Sequence, residues 1–148
     1  MKKTQLLLFV LVSLTFALPA FSQKKVDYFG YYTPVTAVGA FSDISEINLG
    51  GAYGEQQTPK YYGLIRMRDK NAKDFDLMRP TLVGKKLTFT TKDTNGVHYT
   101  FSGTFTKLGD FPTSRPEGQT LLRGTLTKFR GKKKLAVGTF NFIYSAGD

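Results

Sequence analysis

The 148 residues carry 21 lysines and arginines against 11 aspartates and glutamates, one histidine and no cysteine. Without a thiol there is no disulfide framework, no cysteine nucleophile and no cysteine-ligated metal, and one histidine is too few for a histidine zinc site. A formal charge of +10 excludes nothing by itself: it suits anionic partners, and it also serves solubility.

Lys2 and Lys3 form a positive head, Leu6 to Ala17 an apolar run, and Ala20-Phe21-Ser22 places small residues at the two positions a signal peptidase reads. This is the pattern of a secretory signal peptide over residues 1–22, cut before Gln23, and it predicts an exported protein, periplasmic or secreted. The apolar run is too short to span a bilayer comfortably, and no later stretch has the length of a transmembrane helix. Cleavage leaves 126 of the 148 residues, 23–148, as one β-rich domain.

Val26 to Ala40 mixes β-formers with the aromatics Tyr28, Phe29, Tyr31 and Tyr32, and Pro34 predicts an edge strand or a break into two short ones. Asp43-Ile44-Ser45-Glu46 has the spacing of a capping box before Gly50-Gly51, which predicts a turn or two of helix; alternation of Ile47, Leu49 and Gly51 predicts a strand instead. Residues 60–68 alternate with Tyr62 and Leu64 expected inward, and the strand beginning at Phe75 is expected to be interrupted by Pro80.

Residues 85–107 are the clearest element. Leu87, Phe89 and Thr91 alternate with polar residues, as do Val97, Tyr99, Phe101, Gly103 and Phe105. A two-residue Asn95-Gly96 loop would set the apolar rows on opposite faces, so a three-residue loop Thr94-Asn95-Gly96 is expected, pairing Thr91 with Tyr99, Phe89 with Phe101 and Leu87 with Gly103. Leu108 to Gln119 reads as a proline-stiffened loop anchored by Phe111, either a cover over one end of the core or a binding lid. In the last strand, from about Lys134 to Tyr144, Leu135 and Val137 are odd while Phe140, Phe142 and Tyr144 are even. That predicts a change of face near Gly138, by a bulge or by burial on both sides.

About eight short strands, at most one short helix and turn chemistry at each break predict an all-β antiparallel meander. A closed or partly closed barrel is expected, with a two-sheet β-sandwich as the alternative. In strand count and size it resembles the lipocalin or calycin class, although the chain has no tryptophan and hence no lipocalin start motif.

No phosphate loop or serine elbow is present, and His98 falls on the outward row of the hairpin, so no catalytic residue, metal or cofactor is expected. Asp74 and Asp76, two apart on one strand face, are the pair on which a hydrolase or isomerase would have to be built. The leading expectation is a non-enzymatic binding protein holding a small, mostly apolar ligand in the barrel interior or open end. Its lining would be Phe89, Tyr99, Phe101, Phe105, Phe140 and Phe142, gated by the loop around Phe111. The alternative is a basic module docking on anionic polysaccharide, membrane surface or nucleic acid through Arg123, Lys128, Arg130, Lys132, Lys133 and Lys134, with Lys85, Lys86 and Lys92 on a neighbouring strand. Thr88, Thr90, Thr100, Ser102, Thr104 and Thr106 make an outward row that resembles the flat threonine arrays of ice-binding or carbohydrate-facing sheets, with β-propensity the simpler account.

Overall fold

Strands that bury one face leave a row of unpaired N–H and C=O groups at each edge of a sheet, and closing the sheet on itself removes both edges. This chain does so. The computed structural model describes residues 26–53 and 59–147; the signal peptide expected at 1–22 lies outside the described residues. Eight strands run in chain order: β1 (Gly30–Pro34), β2 (Ile44–Tyr53), β3 (Pro59–Met67), β4 (Phe75–Val83), β5 (Lys86–Thr91), β6 (Val97–Phe105), β7 (Thr120–Arg130) and β8 (Lys133–Ser145). Each pairs antiparallel with the next, and β1 pairs β8, so the expected barrel closes and the sandwich alternative falls. A 3₁₀ turn at Gly39–Phe41 and one helical turn, α1 (Phe111–Ser114), complete the described elements. Among the described residues no helix is long and apolar enough to cross a membrane.

The β5–β6 register is the expected one, with Leu87 opposite Gly103 and Phe89 opposite Phe101. Its turn is not. Thr94 does face Val97, the two exchanging backbone bonds of 2.8 and 3.0 Å, around a two-residue Asn95-Gly96 loop with φ of 55° and 77°. Positive φ at both central residues is the turn whose twist matches the strands. The odd residue needed to keep Phe89 inside is absorbed before the turn, at Lys92-Asp93. There Lys92 N bonds to Asp76 O of β4 (2.8 Å) and Asp93 Oδ1 accepts from Gly96 N (2.8 Å). A bulge therefore does what a longer loop was expected to do.

One open alternative is resolved and three other expectations are corrected. Residues 44–53 are strand, not helix; a bulge between Ile44 and Glu46 brings Ile44 and Ile47, three apart, to the same buried face. In β3 the inward residues are Ile65 and Met67, with Tyr61 half-buried beside them, while Tyr62 is 60% exposed. β4 continues through Pro80, because the register against β5 shifts between Met78 and Thr81 and removes the position where a proline N–H would be needed. In β8 the face does not change at Gly138: even positions point inward from Ala136 to Tyr144, and Leu135 and Val137 are exposed, the bulge lying near Leu135 opposite Lys128 and Phe129. Pro34 ends β1 at a position paired to β8 alone.

The core is aromatic and needs glycine to fit. Gly103 and Gly124 face each other across β6 and β7, and the Phe101 ring lies over both. A Cβ on Gly124 would stand 2.3 Å from Phe101 Cζ and 2.8 Å from Gly103 Cα. Gly124→Ala should therefore lower stability by about 1–3 kcal/mol, as overpacking does. Phe101→Leu in the same background should recover part of that loss. Urea unfolding of the four members of this double-mutant cycle checks the coupling, and additivity would show that the ring does not occupy the glycine gap.

Candidate functional site

One junction of the barrel differs from the rest. β3 and β4 pair only at Leu64–Asp76 and Ile65–Phe75, whereas β1–β2 and β1–β8 pair at three and four positions and the longer strands at more. Beyond Ile65–Phe75 in one direction lies the connecting turn, so the two strands part in the other, toward the end covered by residues 106–119. The local cause lies in β4, where Arg79 has φ of 48° directly before Pro80, in the segment where the register shifts. A proline donates no ladder bond, and a left-handed residue turns the chain out of the pleat.

The parted seam is a cleft of about 880 Å³. Val26, Tyr61, Leu77, Pro80, Leu82 and Leu108 give it an apolar lining, and Lys60, Tyr62, Arg79 and Gly84 stand around them. Val26, Tyr61, Leu77 and Leu82 pack against the core, while Leu108 is 52% exposed at the mouth. Burial drives the Tyr61 phenol well above its ordinary pKa, and the charge of Asp27 adds to the effect. The Tyr61 hydroxyl is itself buried, so the residue offers the cleft its ring.

The loop end of the barrel is plugged. Asp27 N donates to Gly109 O (3.0 Å) and Phe111 N to Asp27 O (2.9 Å), stitching the segment before β1 to the 106–119 loop. Phe111 is fully buried and meets Tyr28, Phe105 and Tyr144 edge-on, and Tyr28 stacks on Phe105 at 3.9 Å. Tyr144 Oη donates to Phe29 O (3.1 Å). Burial, followed by the charges of Glu117 and Asp27, pushes the Tyr144 phenol up to about 12.

All seven residues expected to line a ligand, Phe89, Tyr99, Phe101, Phe105, Phe111, Phe140 and Phe142, are buried in the interior. They meet ring to ring: Phe89 stacks on Phe101 at 5.0 Å, and Phe142 meets Phe101 and Phe140 edge-on. The space near Phe41, Ile44, Leu126 and Phe140 does not admit a water molecule. The larger space is the lateral cleft, which the reading of single strands missed. Its one local signal is Arg79-Pro80 inside an otherwise regular strand.

The basic residues divide. Arg130, Lys132, Lys133 and Lys134 are exposed at the β7–β8 turn, and Gly131 N donates to Gly96 O (2.9 Å), tying that turn to the β5–β6 turn. Phe129 stacks on His98 there at 5.0 Å, and His98 lies 3.9 Å from Asp93. Lys128 is withdrawn, bonding to Ala40 O (3.2 Å) and lying 3.5 Å from Asp43. Its burial lowers the ammonium pKa, but Tyr99 and Asp43 outweigh that and leave it raised. Arg123 pairs with Thr104 and Asn141 away from the turn, and Lys85 and Lys86 sit at the far end of the hairpin, so only Lys92 of the three hairpin lysines is near the turn.

Asp74 and Asp76 also separate in role: Asp74 Oδ1 accepts from Met67 N (2.8 Å), and Asp76 is exposed on β4. Among the described residues no three acids, histidines or cysteines cluster as a metal site. The threonine row lies outward as expected and continues onto β7 through Thr125 and Thr127, flooring a shallow groove of about 700 Å³. No protein-family model, curated protein or solved structure matches the chain.

Tyr144 gives the site a pH signature. Its pKa is 10.0 in the unfolded chain and about 12 in the fold, so the folded state holds the proton more tightly. The stability this contributes is complete below pH 10 and is lost as pH rises through 12. The fall in unfolding free energy across that interval should be smaller in Tyr144→Phe than in the parent chain, measured by urea unfolding at each pH. An equal fall in both would remove Tyr144 as its source.

Proposed function

We propose that this chain is an exported, non-enzymatic binding protein that holds a small, mostly apolar ligand in the cleft at the β3–β4 seam of its barrel. One observation carries the reading: two adjacent strands of a closed barrel pair at only two positions and then part around an apolar cleft. The cleft's volume, about 880 Å³, lies within the roughly 300–1,000 Å³ typical of small-molecule pockets. At the loop end Phe111 is seated among Tyr28, Phe105 and Tyr144 and plugs the barrel axis. The inward aromatics then act as the packed wall behind the ligand.

Magnitudes limit what such a cleft achieves with apolar contact alone. Burial of about 300 Å² of ligand surface contributes about 7 kcal/mol. Lost freedom takes back at least about 4 kcal/mol. What is left corresponds to weak binding, roughly millimolar.

Titration of the mature chain with an environment-sensitive apolar fluorophore tests the reading. Leu77→Glu and Leu82→Glu place a charge in the lining and should weaken binding about tenfold or more. Val83→Glu, at a position 78% exposed, should leave it unchanged. Equal binding by all three, with thermal unfolding showing each to be folded, overturns the proposal.

A second reading has its own observation: two hairpin turns tied at Gly131–Gly96 present Lys92, Arg130, Lys132, Lys133 and Lys134, none in an ion pair among the described residues. Such a tip suits an anionic polymer or surface. Lys132→Glu with Lys133→Glu should lower the salt needed to elute the protein from a sulfated polysaccharide column, whereas Arg123→Gln should change it little. Cleft binding should respond weakly to salt and tip binding steeply.

A further inference from the structure

Resting on the cleft reading, we infer that the ligand is an amphipathic anion, its carboxylate or phosphate head held between Lys60 and Arg79 and its hydrocarbon part against Leu77, Leu82 and Tyr61. Lys60 on β3 and Arg79 on β4 stand on the two lips of the seam, and both are exposed. Several cations elsewhere on the barrel are engaged, while those of the β7–β8 tip are, like Lys60 and Arg79, in no ion pair among the described residues. Arg66 pairs with Glu46 at 3.0 Å, Arg68 bonds to Ser42 O and Ile44 O, Lys128 meets Asp43, and Lys107 bonds to Gln119 Oε1. Among the described residues neither Lys60 nor Arg79 has such a partner. Among the described residues, two unpaired cations thus flank an apolar cleft that has no acidic residue in its lining.

The backbone at Arg79 supports a positioned role. It holds φ of 48° immediately before Pro80, where the residue preceding a proline favours extended conformations and a non-glycine residue at positive φ is strained. Its side chain stands at the border between the lateral cleft and the threonine-floored groove, lining both. The inner end of the cleft supplies the orientation. Leu77, Leu82 and Tyr61 are partly buried against the core, whereas Lys60 and Arg79 are exposed, so the apolar contacts lie inward of the charges. Head at the lips and tail inward is the arrangement that satisfies both ends. Arginine supplies paired donors to a planar or tetrahedral oxyanion, and lysine a point charge beside it.

The test compares ligands of one chain length on the mature protein: dodecanoate, dodecyl phosphate, 1-dodecanol and dodecylammonium, each displacing an apolar fluorophore at low salt. The expected result is that at least one anion binds about tenfold more tightly than the alcohol, with the ammonium weakest. Whether carboxylate or phosphate is preferred separates the two head groups. In Lys60→Gln/Arg79→Asn the ratio of anion to alcohol affinity should fall to about one; asparagine is chosen because it tolerates the left-handed backbone. Equal binding of anion and alcohol by the parent chain, or an unchanged ratio in the variant, overturns the head-group inference while leaving the cleft standing. Failure of the fluorophore and of all four ligands to bind overturns the cleft reading itself. The parent-chain comparison needs no variant, so a misfolded variant does not shield the inference.

Discussion

Closure of the backbone ladder is the constraint on which the rest of this structure depends. A barrel of eight strands is stable only when each strand finds hydrogen-bonding neighbours on both sides, and β1 supplies the last of these by pairing with β8 from Tyr31 to Pro34. Closure fixes parity: once Phe89 and Phe101 face inward, every neighbour in register follows, through Leu126 on β7 to Gly138 on β8. It also fixes curvature, which explains the glycines. Gly103 and Gly124 stand where the aromatic rings must approach the wall, and Gly138 admits the rings of Phe140 and Phe41. Against that background, a junction with two pairs is the place where the ladder yields, and the cleft is its direct consequence.

What the sequence made legible was whatever a single strand or hairpin determines. The β5–β6 register followed from alternation, because one face carries Leu87, Phe89, Tyr99, Phe101 and Phe105 and the other carries threonines. The barrel followed from the number of such segments and the turns between them. Where both rows of a strand are apolar, alternation loses its meaning. In β3, Tyr62 and Leu64 compete with Tyr61 and Ile65, and only the pairing of Ile47 with Ile65 shows which row is inside. In β8, Leu135 and Val137 read as core and are exposed, since a bulge near the turn sets the parity of everything after it. The Asn95-Gly96 turn shows the same limit: an offset of one residue was legible, but not whether the loop or a bulge absorbs it.

The candidate site was less legible than the fold, for a related reason. The seven aromatic residues expected around a ligand are inside, as their pattern implies, but pattern cannot distinguish a ring that lines a space from one that fills it. The cleft arises where β3 and β4 fail to pair, a property of two segments whose common register neither sequence states. Arg79-Pro80 was read as an interruption and is instead a bulge in a continuous strand. The basic cluster was likewise read from sequence proximity, and the structure disperses it. Lys128 turns inward to Asp43, Arg123 lies along the barrel, and the exposed tip gains Lys92 from the neighbouring turn.

An open seam in a barrel brings back the hazard that closure removes, because parted strands offer unpaired backbone to another chain. The residues on the lips bear on this directly. Lys60, Arg79 and Pro80 place charge and a missing donor along the two exposed edges, the devices that keep strand edges from pairing. Guarding the seam and holding an anionic head are thus compatible demands on the same side chains. The first suits the lack of a carboxylate beside Lys60 and Arg79 among the described residues, since an internal ion pair would neutralise the guard. The second explains why the gap is lined with Leu77, Leu82 and Tyr61 rather than closed by them. A ligand lying in the seam covers the apolar part of those edges and, by binding only the folded barrel, stabilises it by about 2.7 kcal/mol at a hundred times its dissociation constant. The weakest junction of the ladder then becomes the one that occupancy reinforces.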